Sequence, residues 1–148
     1  MKMSVTVKHI TLWRAEVENK AGVLARTLEA RAAAGTDLHI VMAYRYPKGE
    51  EKAAIEVYPV TNKKSVAAAR GAGLGASSIP SLLIEGDNKP GLAYAVAKAI
   101  GDVGINLGFL VAQVVGRRYS AVVGFENEAD ATNAAALIKK ATTMGRKK

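Results

Sequence analysis

The feature that most limits how this chain can fold is a short loop sequence that occurs twice. Glu18-Asn19-Lys20-Ala21-Gly22-Val23-Leu24 and Asp87-Asn88-Lys89-Pro90-Gly91-Leu92-Ala93 share an acidic residue, Asn, Lys, a small or rigid residue, Gly and an aliphatic residue. The same offset carries Gly35 onto Gly104. A period of about 70 residues is too long for a solenoid repeat and therefore indicates a duplicated small domain.

Composition restricts the class of protein further. The 148 residues fit one ordinary domain or two half-sized ones. The absence of cysteine excludes a disulfide framework and any cysteine-based metal or catalytic site. No apolar run approaches the ~20 residues of a membrane span, so we expect no membrane association and a cytoplasmic protein. The net charge of +8 is spread over both halves, which favours solubility and loose attraction of anions over a specific partner.

The first half is predicted as β-α-β-β-α. Alternating polar and apolar residues predict an extended start, and a change of parity near His9 predicts two short strands or a bulge. The next segment is a helix with Asn19 as its N-cap, Gly35 as its left-handed end, and an apolar face of Leu24, Leu28 and Ala32. The predicted elements of this half are a strand region at 4–17, a helix at 22–34, strands at 38–46 and 54–58 joined by a turn at 47–50, and a helix at 62–70.

The second half repeats this order. Its elements are predicted as a strand at 81–85, a helix at 92–103, strands at 106–115 and 120–125, and a helix at 127–143. Because residues 106–115 are mostly apolar on both faces, we expect that strand to be buried on both sides. Gly71, Gly73 and Gly75 alternate before an extended segment, so they indicate a linker and not a phosphate loop. The predicted units are residues 1–75 and 76–148.

This doubled β-α-β-β-α order, with an acidic-x-x-Pro-Gly-aliphatic turn and Gly104-Ile105-Asn106 after the helix, resembles the ACT domain family. The second copy is the better match, since Glu18 and Ala21 replace Asp and Pro in the first. The resemblance implies an α+β fold of two ferredoxin-like βαββα(β) units packed as a tandem with antiparallel sheets. The fourth strand of each unit is missing from its expected place. We therefore expect strand exchange, with residues 4–17 as the donor, and a continuous sheet across both copies.

The resemblance also implies a function. ACT domains are regulatory sensors that bind amino acids at the loop before the first helix, with help from the start of the second strand. Carried over to this chain, the second-copy ligand-binding residues are Asp87, Asn88, Pro90, Gly91, Leu92, Asn106 and Leu107. The first-copy residues are Glu18, Asn19, Gly22, Val23, Asp37 and Leu38. The implied protein is non-catalytic, uses no cofactor, forms a homodimer through sheet edges, and regulates an enzyme or regulator in trans.

Other interpretations of the sequence are less specific. Asn, Asp and Gly before a helix are in most cases caps and tight turns. A ferredoxin-like nucleic-acid-binding module would use the basic surface and stack bases on aromatic residues, for which the central strands offer Phe109 and Phe125. His9 and His39 have no clustered metal partners in the sequence. An enzyme on this fold is ranked third among the interpretations, because no catalytic set can be assembled from the sequence. Trp13 and three tyrosines are interpreted as sheet-packing residues: Tyr44, Tyr46 and Tyr58.

Overall fold

The computed structural model describes residues 5–47 and 51–144, so residues 48–50 of the predicted turn lie outside it. No helix of the described part is long and apolar enough to cross a membrane. The predicted extended start is two strands, which separate after Ile10. The elements in chain order are β1 (Val5–Ile10), β2 (Trp13–Glu18), α1 (Val23–Ala33), β3 (Ile40–Arg45), β4 (Lys52–Tyr58), α2 (Lys63–Gly71), β5 (Gly75–Ala76), β6 (Ser81–Asp87), α3 (Leu92–Gly101), β7 (Leu107–Val115), β8 (Arg118–Phe125) and α4 (Glu128–Met144).

The first sheet has the strand order β3-β4-β2-β5, and all its neighbours are antiparallel. Its connectivity is the ferredoxin-like β-α-β-β-α-β order that the sequence predicts. The predicted linker contributes the fourth strand, because Gly75 and Ala76 pair with Arg14 and Trp13. This two-residue strand is too short to leave a periodic pattern in the sequence.

The second sheet has the order β1-β6-β8-β7 and is also antiparallel throughout. Here β1 takes the fourth position, pairing with β6 from Val5 opposite Gly86 to Ile10 opposite Ser81. The predicted donation of an N-terminal strand is therefore confirmed. The predicted continuous sheet is wrong for the described residues of one chain, since their strands form two separate four-stranded sheets.

The compact units of the structure follow from this exchange. One unit is Thr11–Ser78, and the other combines β1 with the residues from Ile79 onward. The first unit is thus inserted between β1 and β6 of the second. The division into 1–75 and 76–148 still describes the two sequence repeats, and as a division into domains it stays a proposal.

Helices α3 and α4 bury the faces that their periodicity predicts. Leu92, Val96 and Ile100 of α3 are almost inaccessible to solvent, as are Ala131, Ala134 and Ile138 of α4. These residues form one hydrophobic cluster with the inner face of the second sheet. The predicted Val103 is an exception, because α3 ends at Gly101 and leaves its side chain exposed.

Helix α1 differs from its predicted packing. Leu24 is 39% exposed and Ala32 is exposed, whereas Thr27 and Arg31 are buried. Leu28, the third predicted residue, is partly buried against the core of this unit. The buried stripe of α1 therefore keeps Leu28 from the predicted face and has Thr27 and Arg31 in place of Leu24 and Ala32. The N-cap is Gly22 without a side-chain hydrogen bond, so the prediction of Asn19 as the cap is wrong, while Gly35 has the predicted left-handed conformation.

The expectation that residues 106–115 are buried on both faces is also wrong. β7 is an edge strand: among the described strands it pairs with β8 alone. Its aliphatic side chains are exposed in consequence: Leu107, Leu110, Val111, Val114 and Val115. A run of apolar residues can thus belong to an edge strand as well as to a central one.

Candidate functional site

The first repeated loop connects β2 to α1. Gly22 has φ +84°, a left-handed conformation in which a side chain would be strained and would also approach the Arg26 guanidinium. The loop is held by the Asn19 N–H, which donates to the Glu51 carbonyl at 3.0 Å, and by the Val23 N–H, which donates to the Lys20 carbonyl at 3.3 Å. The backbone is therefore fixed without the side chain of Asn19.

A pocket of about 220 Å³ opens beside this loop. Its polar rim includes Glu18, Asn19, Lys20 and Arg45, and its wall is formed by apolar side chains from both the helix and the sheet. The structure thus brings together three of the predicted first-copy residues, Glu18, Asn19 and Val23, with Gly22 next to them. The aliphatic members of the lining are Val17, Val23, Leu24, Ala43, Ala53, Ala54 and Ile55, and Tyr44 also lines the pocket.

Charges of both signs lie at the rim of this pocket. Lys20 Nζ is 2.8 Å from Glu18 Oε2, and both side chains are largely exposed. This hydrogen bond and ion pair lower the pKa of Glu18. The rim therefore offers a carboxylate for a ligand ammonium group and a Lys ammonium group for a ligand carboxylate.

The second repeated loop connects β6 to α3 and has the same backbone form. Gly91 has φ +86°, and the Leu92 N–H donates to the Lys89 carbonyl at 3.1 Å. The loop is anchored to the β7–β8 turn, since the Asn88 N–H donates to the Arg117 carbonyl at 2.8 Å. Arg118 Nη1 lies 3.0 Å from Asp87 Oδ1, so this exposed carboxylate, which is predicted to bind a ligand, has an ion-pair partner as Glu18 has in the first loop.

The side chains of the second loop are divided between solvent and core. Asp87, Asn88, Pro90 and Gly91 are exposed, whereas Leu92 is only 1% exposed and belongs to the cluster under the helices. Tyr119, on β8, lies in the same cluster, and its hydroxyl is buried without a hydrogen-bond partner in the described part of the chain. Burial raises the pKa of Tyr119.

The remaining predicted residues lie at the opposite end of each sheet. Asn106 and Leu107 are exposed at the start of β7, whereas the Asp87 loop lies at its end, where Arg118 pairs with both Asp87 and Val115. The nine residues of β7 separate these ends by roughly 27 Å. Residues within one copy of the chain therefore do not bring the two predicted sets together.

The first copy has the same separation. Asp37 lines a different pocket of about 300 Å³, at the C-terminal end of α1, together with Asn62 and Ser65. Its carboxylate is 3.4 Å from His39 Nε2, and Leu38 packs partly buried on the core of this unit.

A polar cluster that the sequence did not predict as a unit lies on the first sheet. Arg14 donates to the hydroxyl of Tyr46, which donates to Glu16 at 2.7 Å, while Tyr44 donates to the buried Glu56 at 2.6 Å. The tyrosines thus hydrogen-bond to carboxylates along the strands. Trp13 is buried in the core, with the Arg70 guanidinium 5.6 Å from its ring centroid, which confirms its predicted packing role.

The aromatic rings that a nucleic-acid-binding module would use do not form an exposed stacking surface. Phe125 is 2% exposed within the helix-covered core, and the Phe109 ring occupies the space above Gly124. Neither ring is thus presented as a platform for a base. Within the described residues, no group of three or more His, Asp or Glu side chains could hold a metal ion.

Comparisons with known proteins identify the fold. No protein-family model and no curated protein sequence matches the chain. Among solved structures, protein BT0572 from Bacteroides thetaiotaomicron is similar with a TM-score of 0.70 and 15% identity, over 90% of this chain and 90% of that chain. The ligand-free regulatory subunit of aspartate kinase from Thermus thermophilus is similar with a TM-score of 0.61 and 16% identity, over 95% of this chain and 99% of that chain. The structure of the aspartokinase alpha and beta subunits is similar with a TM-score of 0.60 and 14% identity, over 95% of this chain and 98% of that chain.

These similarities cover nearly the whole chain and both ferredoxin-like units. At this level of identity they establish the fold. The chain therefore has an ACT-like fold of two units, similar to that of the regulatory subunit of aspartate kinase.

Proposed function

We propose that this protein is a non-catalytic regulatory protein that binds an amino acid at the loop between first strand and first helix. The observation that carries the proposal is the pocket beside Glu18–Val23, which combines a charged rim with an apolar wall. Ligand pockets have this composition, with few polar groups that orient a mostly apolar contact. The likeness to regulatory subunits of aspartate kinase supports the same class of role.

The chemistry of the rim fits a zwitterion. Glu18 can accept hydrogen bonds from an ammonium group, and Lys20 and Arg45 can neutralise a carboxylate. The first turn of α1 adds the partial positive charge of a helix N-terminus. Separation of the existing Glu18–Lys20 pair costs little, because exposed ion pairs contribute only about 0–1 kcal/mol.

Titration calorimetry of the full chain against each common amino acid tests this proposal. We expect saturable binding by at least one of them, and we expect weaker binding by Glu18→Gln and Lys20→Gln variants. The matched control is Glu128→Gln, since this carboxylate belongs to the other compact unit and starts α4 just after the end of β8 that is opposite the Asp87 loop. Absence of heat from every amino acid at millimolar concentration contradicts the proposal.

A homodimer is part of the proposal, because β7 presents nine uncharged residues at an open sheet edge. Edge strands of monomeric proteins carry charges, prolines or bulges that prevent pairing. The register shift of β7 is confined to Leu107–Phe109, and the exposed valines that follow it favour pairing. We commit to antiparallel pairing of β7 with β7 of a second copy. This arrangement would carry Asn106 and Leu107 of the partner subunit towards the end of β7 where the Asp87 loop lies.

Val111→Lys tests the dimer. Val111 is 50% exposed in the middle of β7, so two copies of the variant would place like charges close together at the pairing edge. We expect sedimentation to show a dimer for the unaltered chain and at least about a tenfold weaker dimer for the variant, or about 1.4 kcal/mol. Val103→Lys is the control, since Val103 is similarly exposed and lies outside the strand. Equal association of both variants contradicts pairing through β7.

We further propose that the protein acts in the cytoplasm on an enzyme or regulator in trans. A bound amino acid can control such a partner only if it binds two conformations of this protein with different affinity. The partner would then recognise one of these conformations. Affinity capture with and without the amino acid found by calorimetry tests this step.

A further inference from the structure

The two sheets carry different residues at one equivalent strand position beside the repeated loops. In the first unit, Val17, just before Glu18, is paired across the strands with Ala53. In the second, Gly86, just before Asp87, is paired with Tyr119. Ala53 and Tyr119 are thus equivalent positions, on the sheet face that each unit covers with its helices. Ala53 lines the 220 Å³ pocket of the first unit.

The burial of the neighbouring residues differs in the same sense. Leu92 and Tyr119 are 1% and 3% exposed and belong to one hydrophobic cluster. Their counterparts in the first unit, Val23 and Ala53, are only half-buried. A phenol ring in the second unit therefore fills volume at the register position where an alanine methyl group leaves a pocket in the first.

The size and chemistry of the open pocket restrict its ligand. A volume of about 220 Å³ is smaller than the roughly 300–1,000 Å³ of a drug-sized pocket. Its wall is aliphatic, with Val17, Ala43, Ala53 and Ile55 contributed by three strands. Tyr44 also lines the pocket, but its hydroxyl already donates to Glu56 at 2.6 Å. The wall therefore matches the side chain of valine, leucine or isoleucine better than a polar side chain.

We infer that the first loop is the ligand site, that it takes an amino acid with an aliphatic side chain, and that Ala53 determines this specificity. Tyr119 closes the equivalent position of the second loop, so that each chain binds one ligand. The inference rests on the proposed function, which supplies the amino and carboxylate contacts at the rim. It adds which loop is occupied and what side chain enters it.

Ala53→Phe is the decisive variant, because it places an aromatic ring in the first unit as Tyr119 does in the second. Calorimetry of the unaltered chain is expected to give one leucine or valine per chain. A hydrophobic pocket discriminates about tenfold or more per methylene, so Ala53→Phe is expected to weaken leucine binding by at least that factor. The control is Val41→Phe, at an exposed position on β3 outside the pocket. Tyr119→Ala is expected to raise the stoichiometry to two.

The outcomes separate this inference from the proposed function. If no amino acid binds the unaltered chain, the proposed function fails and the inference fails with it. If amino acids bind but Ala53→Phe retains leucine affinity, or if the unaltered chain binds two ligands, the inference is overturned and the function stands. Tyr119→Ala that folds by circular dichroism and still binds one ligand overturns the closing role of Tyr119. If that variant unfolds, Ala53→Phe and the stoichiometry of the unaltered chain decide.

Discussion

Arg31 is a single residue whose environment conflicts with its charge. It lies in the last turn of α1, is fully buried, and donates one hydrogen bond from Nη2 to the Pro59 carbonyl at 3.0 Å. Its Nε and Nη1 atoms are buried without partners among the described residues. Burial therefore lowers the pKa of Arg31, and the guanidinium loses hydration that one carbonyl does not replace.

Arg31→Met is expected to leave the protein equally stable or to stabilise it by about 1–2 kcal/mol, because it keeps the packed volume and removes unpartnered donors. Arg31→Ala is expected to destabilise it by about 2–3 kcal/mol through the cavity that it leaves. Amide hydrogen exchange in α1 and β4 measures both effects within this unit. A methionine variant less stable than the alanine variant would show that the charge, and not the volume, is what the position requires.

Single residues also mark where sequence reasoning stops. The repeated glycines were predictable, because a tight turn into a helix requires the left-handed conformation that Gly22 and Gly91 adopt. The contrast between Ala53 and Tyr119 was not, since it depends on which residues pair across strands. Register of this kind is fixed by the whole sheet and leaves no local signal in the chain.

Among helices, α2 has the best-defined start. Asn62 Oδ1 accepts a hydrogen bond from the Ser65 N–H at 2.8 Å, and Ser65 Oγ accepts one from the Asn62 N–H at 3.1 Å. This reciprocal capping box satisfies two backbone donors at the end of a nine-residue helix. A helix of this length depends on its cap, because its own propagation is marginal in water.

Asn62→Ala is therefore expected to cost about 1 kcal/mol, the usual value for loss of an N-cap. In amide hydrogen exchange this corresponds to about fivefold faster exchange across α2. Asn62→Asp, which keeps the accepting oxygen, is the control and should exchange at the original rate. Unchanged exchange in the alanine variant would contradict a stabilising role for the cap.

Helices and strands were predicted well where their apolar residues form one buried face, and poorly where the apolar pattern does not match the buried face. Periodicity identified α3 and α4 and their buried faces, because both lie on a fully formed sheet. It failed for β7, whose apolar side chains are exposed on an edge strand, and in part for α1, where Thr27 and Arg31 are buried and Leu24 and Ala32 are exposed. In both cases the local pattern records hydrophobicity alone and does not say which face of the element the rest of the chain covers.

The whole chain is organised by one exchanged strand. β1 begins the sequence but belongs to the sheet of the second unit, so the Thr11–Ser78 unit is an insertion within it. The missing fourth strand predicted the exchange, since each ferredoxin-like unit must close its sheet. The sequence could not assign β1 and β5 to their sheets, because the alternation of polar and apolar residues in a strand does not indicate which strand it pairs with.

This insertion predicts an asymmetric response to loss of β1. β1 pairs along its length with β6, and Val5, Val7 and Ile10 are wholly or partly buried. A chain that starts at Thr11 would leave β6 as an open edge and part of its core exposed. We expect amide exchange in β6 and β8 to increase by more than tenfold, while β2 and β4 retain their protection.

Two substitutions within the full chain separate the loss of packing from the loss of pairing. Val7→Ser removes a side chain that packs on the core, and Lys8→Ser changes an exposed neighbour on the same strand. The first is expected to accelerate exchange in β6 and α4, and the second to leave it unchanged. Equal loss of protection in both units after removal of β1 would contradict the insertion, because β1 contributes its strand pairs to the second sheet alone.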